Sequence, residues 1–363
     1  MKRDLICYLT IFILMGCSGV PYSRLADKDL QEWECLQIIK ELSSFIEHEQ
    51  NNWKAYYLRG TAYYRYGDLV LAIDDFSSTI KLNPMYSPAY SARGHLYFVM
   101  NKYDEALIDM NNAISFDTNN SELYYSRAVI YYNLKNYIDA DNDLDYAIGQ
   151  DANNVKYLLF KALIYSEMER YDETIALLRK TAEIDEYNYI IYYELGVNFY
   201  LKKDYREALN YIEQAIKLNV VDAESYNIRG LINEKLDNNE DALNDYSMAI
   251  KLSSQRISKS KYYYNRGYLY FSFGSYQNAI LDFDKAIEIN VTFKNAYRYR
   301  EEIYRILSEQ TEDDEMADMY MEKAESDHIV LRELENRHIH EEALFLPGLI
   351  LRWSTFLPPK IEN

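Results

Sequence analysis

Residues 87–120 read SPAYSARGHLYFVMNKYDEALIDMNNAISFDTNN, and residues 121–154 read SELYYSRAVIYYNLKNYIDADNDLDYAIGQDANN. Laid one over the other, they set Tyr90 on Tyr124, Arg93 on Arg127, Gly94 on Ala128, Ala106 on Ala140 and Asp109 on Asp143. The mark Tyr-x-x-Arg followed by a small residue runs on in both directions, with exceptions in two copies. Its small residue falls at Gly60, Gly94, Ala128, Ala162, Gly196, Gly230 and Gly267, at intervals of 34 residues five times and then 37. Such a period is one supersecondary unit copied along the chain, and a single unit cannot bury both of its faces, so neighbours must stack.

With the small residue numbered position 8 of each copy, the other recurring sites fall into place. Position 4 is Tyr56, Tyr90, Tyr124, Leu158, Tyr192, Tyr226 and Tyr263. Position 11 is aromatic in six copies, from Tyr63 to Tyr270, and position 24 is bulky throughout, from Phe76 to Phe283. Positions 20 and 27 hold only Ala or Thr. Small residues at 8, 20 and 27 let helix axes approach, and large ones at 4, 11 and 24 fill the gaps between turns.

This pattern resembles the tetratricopeptide repeat, a helix-turn-helix unit. The resemblance implies an all-α fold, a right-handed α-solenoid of seven to eight hairpins with an N-terminal half-repeat and a C-terminal helical cap. Seven copies are expected at 53–86, 87–120, 121–154, 155–188, 189–222, 223–259 and 260–293. Residues 30–52 fit a capping second helix, with Ile38, Leu42 and Phe45 at positions 20, 24 and 27. Residues 294–327 fit a degraded eighth copy with an acidic insertion at Thr311–Asp314, and 328–363 a cap or tail. The insertion around Gln255–Ser260 is expected to lengthen one inter-repeat turn. The tail's Leu346–Trp353 stretch could cover the last apolar face, occupy the groove or touch lipid. Two departures stand out: the repeat-ending proline appears only as Pro84, and position 7 is mostly Arg where the family usually has Leu.

The first twenty residues, MKRDLICYLTIFILMGCSGV, have a basic start and a short apolar run, Leu5–Met15. Eleven helical residues span roughly 16 Å, about half a bilayer core, so a signal sequence is expected over 1–16 rather than a membrane span. Leu14-Met15-Gly16-Cys17 resembles the lipobox of bacterial lipoproteins. That implies cleavage before Cys17 and lipid on it, with 17–29 as a tether; an ordinary secretory signal is the alternative. Ser18 after the cysteine implies the outer membrane, with the periplasmic or surface face left open. Once Cys7 leaves and Cys17 is acylated, Cys35 stands alone as a half-buried helix cysteine, and no intrachain disulfide can form.

A formal charge of −19 argues against nucleic acid, whose binding begins with a basic face. No Gly-rich phosphate loop or Gly-x-Ser-x-Gly elbow is present. His338 and His340 lie two apart, on opposite sides of a helix, and so do not suit a shared metal. No catalytic residue, metal, cofactor or small-molecule substrate is expected.

Two pairings are expected. Where position 7 is Arg (59, 93, 127, 229 and 266), position 23 is Asp (75, 109, 143, 245 and 282); where it is Lys161 or Leu195, position 23 is Leu177 or Tyr211. The two sites flank the hairpin turn symmetrically and can meet, although Asp282 could instead reach Arg300. The second concerns the groove to which the resemblance assigns positions 2, 5, 9, 12 and 13. Tyr57, Tyr64, Phe98, Tyr125, Tyr132, Tyr193, Tyr200, Tyr264, Tyr268 and Phe271 would form an aromatic stripe down it. Their spacings of four and three put them on one helix face. The alternative is that these rings merely pack between repeats. The resemblance thus implies protein or peptide partners on a concave face and an envelope scaffold. A permanent subunit of a barrel- or pilus-assembly complex is the other reading. The Lys/Asn clamp by which some relatives hold C-terminal carboxylates is missing.

Overall fold

The computed structural model describes residues 31–336; the leader, Cys17, the tether, His338, His340 and residues 337–363 lie outside them. Among the described residues there are 17 helices and no strand, the all-α helical-repeat class expected. A lone helix, α1 (Glu32–His48), comes first. Consecutive pairs follow: α2 (Trp53–Tyr66) and α3 (Leu69–Leu82), α4 (Ser87–Val99) and α5 (Tyr103–Phe116), α6 (Ser121–Asn133) and α7 (Tyr137–Gln150). Next come α8 (Val155–Glu167) and α9 (Tyr171–Ile184), α10 (Tyr189–Leu201) and α11 (Tyr205–Leu218), α12 (Ala223–Lys235) and α13 (Asn239–Leu252). The last are α14 (Arg256–Ser272) and α15 (Tyr276–Ile289), then α16 (Lys294–Gln310) and α17 (Asp314–Asn336). The described residues divide into two compact units, 31–164 and 165–336, with the division inside α8.

Each repeat's two helices are separated by a left-handed residue at position 15. Gly67 and Gly274 take it at φ 98° and 69°, but Asn101, Lys135, Glu169, Lys203 and Asp237 take it too, at 58–65°. The following N–H then turns back to the carbonyl five residues earlier, as Lys102 does to Tyr97 at 2.8 Å and Ser275 to Tyr270 at 2.9 Å. That satisfies helix-end carbonyls otherwise left bare and fixes the reversal. Side-chain caps start the next helices: Asp68 Oδ1 accepts from Leu71 N, Asn52 Oδ1 from Ala55 N and Asp222 Oδ2 from Ser225 N.

Packing follows the repeat positions. Every residue at positions 20 and 27, from Ala72 and Thr79 to Ala279 and Ala286, is fully buried. Where Thr replaces Ala, its hydroxyl donates within its own helix, as Thr181 does to Leu177 O at 2.9 Å. In α1 the buried face is Cys35, Ile38, Leu42 and Ile46, which packs on Ala55 and Ala62 of α2. Cys35 is thus fully buried rather than half-buried, and burial pushes its thiol's pKa up. Phe45 lies at the margin of that face.

All five expected Arg–Asp pairs form, with Nη2–Oδ1 distances of 2.6–2.7 Å. In each the Nε also bonds the same carboxylate, giving a fork across the hairpin. The remaining guanidinium nitrogen often reaches back to position 25 of the preceding repeat. Arg93 Nη1 donates to Ser77, Arg127 Nη1 to Asn111 and Arg266 Nη1 to Ser247; Arg59 finds Ser43, in α1. Arg300 pairs with Asp327 and Asp284, and not with Asp282, which belongs to Arg266. Where position 7 is Lys161, its ammonium goes to Asp141 and Asp145 of the repeat before. Where it is Leu195, Arg179 at position 25 of the preceding repeat donates to Tyr211 instead.

Two expectations fail here. The Gln255–Ser260 insertion is not a longer turn: α14 begins at Arg256 and runs 17 residues against 13 in α12, so the added residues form an extra helical turn. Nothing in the segment breaks a helix, and Gln255 sits extended at its N-cap. The boundary between 327 and 328 also dissolves, because α17 runs unbroken to Asn336. Among the described residues no helix is long and apolar enough to cross a membrane.

Candidate protein-binding face

The tyrosines at positions 4 and 11 are already engaged. Arg59 lies over Tyr56 and Tyr63 at 5.6 and 5.9 Å, Arg127 over Tyr124 and Tyr131 at 5.5 and 5.8 Å, and Arg266 over Tyr263 and Tyr270 at 5.8 and 6.0 Å. The same guanidinium therefore forks to aspartate and also lies over two tyrosine rings of its own helix.

Position 5 was expected on the surface and is not. Tyr57, Tyr125, Tyr193 and Tyr264 are only 8%, 0%, 7% and 3% exposed. Their rings fill the joint toward the next repeat: Tyr125 meets Tyr157 and Phe160 at 5.4 and 5.5 Å, Tyr264 meets Phe293 at 4.9 Å, and Tyr57 meets Tyr86 edge-on at 5.1 Å. The following helix covers a residue that an isolated helical wheel leaves outside. The hydroxyls of Tyr57 and Tyr125 have no hydrogen-bond partner, and burial pushes both pKa values up.

Position 12 is what remains accessible. Tyr64, Phe98, Tyr132, Tyr200 and Phe271 are half-buried, each with a rim toward solvent, and Tyr268 at position 9 is exposed. Four of them rest on an aromatic residue at position 17, across the hairpin turn: Phe98 on Tyr103 at 5.7 Å, Tyr132 on Tyr137 at 5.7 Å, Tyr200 on Tyr205 at 5.6 Å and Phe271 on Tyr276 at 6.2 Å. The position 17 tyrosines were missed from sequence, although a Tyr five residues after position 12 in five of seven copies was the signal. Tyr64 meets His95 edge-on, its hydroxyl 3.3 Å from Nε2. Burial pushes His95 down to about 4 and Tyr200 up to about 12.

Where position 12 is not aromatic, the face turns polar. Ser166 donates to Asn198 Oδ1 at 2.8 Å, and Tyr246 donates to the Glu234 carboxylate. Nearby, Asn265 donates to Asn227 Oδ1 at 2.8 Å, both side chains buried. Glu224 accepts from Tyr262 at 2.7 Å and pairs with Lys261. Burial pushes the Glu194 carboxyl up to about 7. None of these asparagines was singled out from sequence, where Asn reads as a turn or surface residue. Among the described residues no three His, Cys, Asp or Glu side chains come together to hold a metal.

Residues 87–120, 192–257 and 260–293 each match a model of the tetratricopeptide repeat. A TPR repeat-containing protein of Methanocaldococcus jannaschii is 31% identical over 118 residues, 32% of this chain. The chain spans about a fifth (20%) of that relative's length. Among solved structures, a tetratricopeptide repeat protein from Parabacteroides merdae aligns at TM-score 0.59 and 20% identity, over 70% of this chain and 99% of the other. The C-terminal part of a TPR repeat-containing protein from Cytophaga hutchinsonii aligns at TM-score 0.53 and 17% identity, over 68% and 98%. Both likenesses are of fold.

Proposed function

We propose that this tetratricopeptide-repeat chain is a protein-interaction scaffold that captures partner proteins in the bacterial envelope without catalysing a reaction. The observation that carries this reading is the set of half-buried position 12 aromatics in each unit, four of them braced by a tyrosine across the hairpin turn. Rigid rings with one accessible rim present apolar area at small entropy cost, and such residues dominate protein interfaces. Extended or helical segments with apolar side chains suit it, and basic flanks would meet the acidic body.

The N-terminal sequence supports the rest of the proposal. Cleavage before Cys17 and its acylation would hold the array at the outer membrane, since multiple acyl chains anchor in effect permanently. Replacing Cys17 with Ala should release the protein from membranes and leave the leader attached. A variant that stays membrane-bound at wild-type size refutes the anchor without touching the scaffold.

Binding is tested separately, by replacing Tyr132 and Tyr200 with Ala and comparing capture from detergent-solubilised membranes with the parent chain. Loss of a partner from a variant that still melts cooperatively is the expected outcome. Undiminished capture by a folded variant would end the role of the position 12 aromatics. Exchange of the captured protein against fresh extract separates an adaptor from a permanent subunit.

A further inference from the structure

Residues 219–222, 253–255 and 290–293 are the last turns in the second unit that join one repeat to the next. Packing sets them side by side. Ala223 and Tyr226, at the start of α12, pack with Ala249 and Ile250 at the end of α13 and with Tyr262 of α14. Arg256, the first residue of α14, donates to Glu288 O at 3.5 Å, at the end of α15. The three turns therefore share one edge of that unit.

This edge projects four aliphatic side chains: Val220, Val221, Ile257 and Val291 are 59%, 66%, 72% and 66% exposed. Isolated exposed apolar residues are ordinary, but here every turn carries one or two. Cations stand between them. Lys217 and Lys251 lie in the last turns of α11 and α13, Arg256 and Lys259 open α14, and Lys294 opens α16. Lys217, Lys251 and Arg256 are exposed, and Lys259 and Lys294 half-buried. The carboxylates on these turns and their flanking helix ends are engaged. Asp222 caps Ser225, Glu224 holds Lys261 and the Tyr262 hydroxyl, and Glu288 pairs with Lys285. An edge of positive sign thus sits in a chain of formal charge −19. The earlier turns differ: Asn83–Tyr86, Asp117–Asn120, Asp151–Asn154 and Asp185–Asn188 hold acids and no base.

We propose that this edge rests on an anionic membrane surface, with its valines and Ile257 among the headgroups and its cations on lipid phosphates. The residue types favour lipid over protein. Protein interfaces gather aromatics and Arg and shed Lys, whereas the exposed tips here are Val and Ile, with four lysines to one arginine. An ammonium on a flexible stem suits mobile headgroups better than a fixed partner. The contact does not depend on acylation of Cys17. It directs the unit's hairpin turns, at the opposite edge, away from the bilayer.

Full chains carrying Val221→Cys, Ile257→Cys or Met85→Cys, labelled with an environment-sensitive fluorophore, test this on vesicles that contain a bilayer-borne quencher. The parent chain, treated alike, sets the background. Labels at 221 and 257 should be quenched on phosphatidylglycerol-rich vesicles and not on phosphatidylcholine alone; the label at 85 should be quenched on neither. Adding Arg256→Gln with Lys259→Gln should raise the lipid concentration for half quenching roughly thirtyfold, about fivefold for each charge removed. The substituted positions lie outside the core, and melting curves check folding. Labels at 221 and 257 unquenched on both kinds of vesicle would overturn the contact, even where the chain sediments with vesicles through its N-terminus, and would leave the edge to an acidic protein. Equal quenching at 85, equal quenching on neutral vesicles, or indifference to the charge change would each overturn it too.

Discussion

Gly230 lies directly against the ring of Tyr246: a Cβ placed on Gly230 would sit 2.6 Å from Tyr246 Cε1. The same site is as tight at Gly196, where that Cβ would run into Ile212 Cγ1. Position 8 is alanine only where position 24 is leucine, in Ala128 with Leu144 and Ala162 with Leu178. Residue 8 is thus sized by what residue 24 pushes toward it. Gly230→Ala should destabilise the array by ~1–3 kcal/mol through overpacking. Adding Tyr246→Leu, which recreates the natural Ala/Leu pairing, should cost less than the sum of the two single changes. Strictly additive melting shifts would show that the two positions are independent.

The fork between Arg93 and Asp109 should prove strongly coupled. Asp109 is buried and Arg93 half-buried, so removing one partner strands the other at a cost of ~3–5 kcal/mol. The double change to Ala should lose far less than the two single losses added together. A double-mutant cycle in urea measures this, and a coupling near zero would reduce the ladder to surface charge.

Tyr125 carries a buried hydroxyl that finds no partner. Tyr125→Phe should leave stability unchanged or raise it by up to ~1–3 kcal/mol, because an unsatisfied polar group is removed with the ring kept. Tyr125→Ala should instead cost ~3–5 kcal/mol by opening the joint to Tyr157 and Phe160. Differential scanning calorimetry of the two variants decides it; a large loss in Tyr125→Phe would mean the hydroxyl is bonded after all.

The left-handed residue at position 15 offers stability gains. Lys203 holds φ 65° and Glu169 holds 58°, a conformation that costs a side chain ~1 kcal/mol relative to glycine. Lys203→Gly should raise the melting temperature. Gly67→Lys should lower it although open space surrounds the Gly67 Cβ position, since the penalty is in the backbone. Opposite signs for the two variants are the expected result, and equal signs would contradict it.

Two half-buried titratable groups should oppose each other with pH. Glu194 rises to about 7 in the fold, so its contribution to stability is present below the ordinary 4.5 and lost as pH climbs through 7. His95 falls to about 4, so its contribution is present above the ordinary 6.5 and lost as pH drops toward 4. Relative to Glu194→Gln, the parent chain should weaken as pH rises from about 5 to about 8. Relative to His95→Gln it should weaken as pH falls from about 6.5 to 4. Parallel slopes for both variants would contradict the burial of one group.

What the sequence disclosed was whatever recurs at a fixed offset within one copy. Arg59 and Asp75, or Lys161 and Leu177, change together because both lie in one hairpin. Tyr57 and Tyr125 were misplaced because their exposure depends on the next copy, which covers them. Gln255–Ser260 looked like turn because composition there is polar, yet polar residues without Gly or Pro extend a helix readily. Asn227 and Asn265 were silent because a buried amide pair is visible only once two helices are set side by side.

The reach of Arg93 back to Ser77, and of Arg59 to Ser43, gives the ladder a direction. In the four arginines that reach back, Arg59, Arg93, Arg127 and Arg266, the acceptor precedes the arginine in the chain and the aspartate follows 16 residues later. During synthesis, a hairpin leaving the ribosome finds its seat already made, and α1 makes the first one. Growth from the N-terminus then adds one finished step at a time, with no rung waiting on a repeat more than one hairpin ahead.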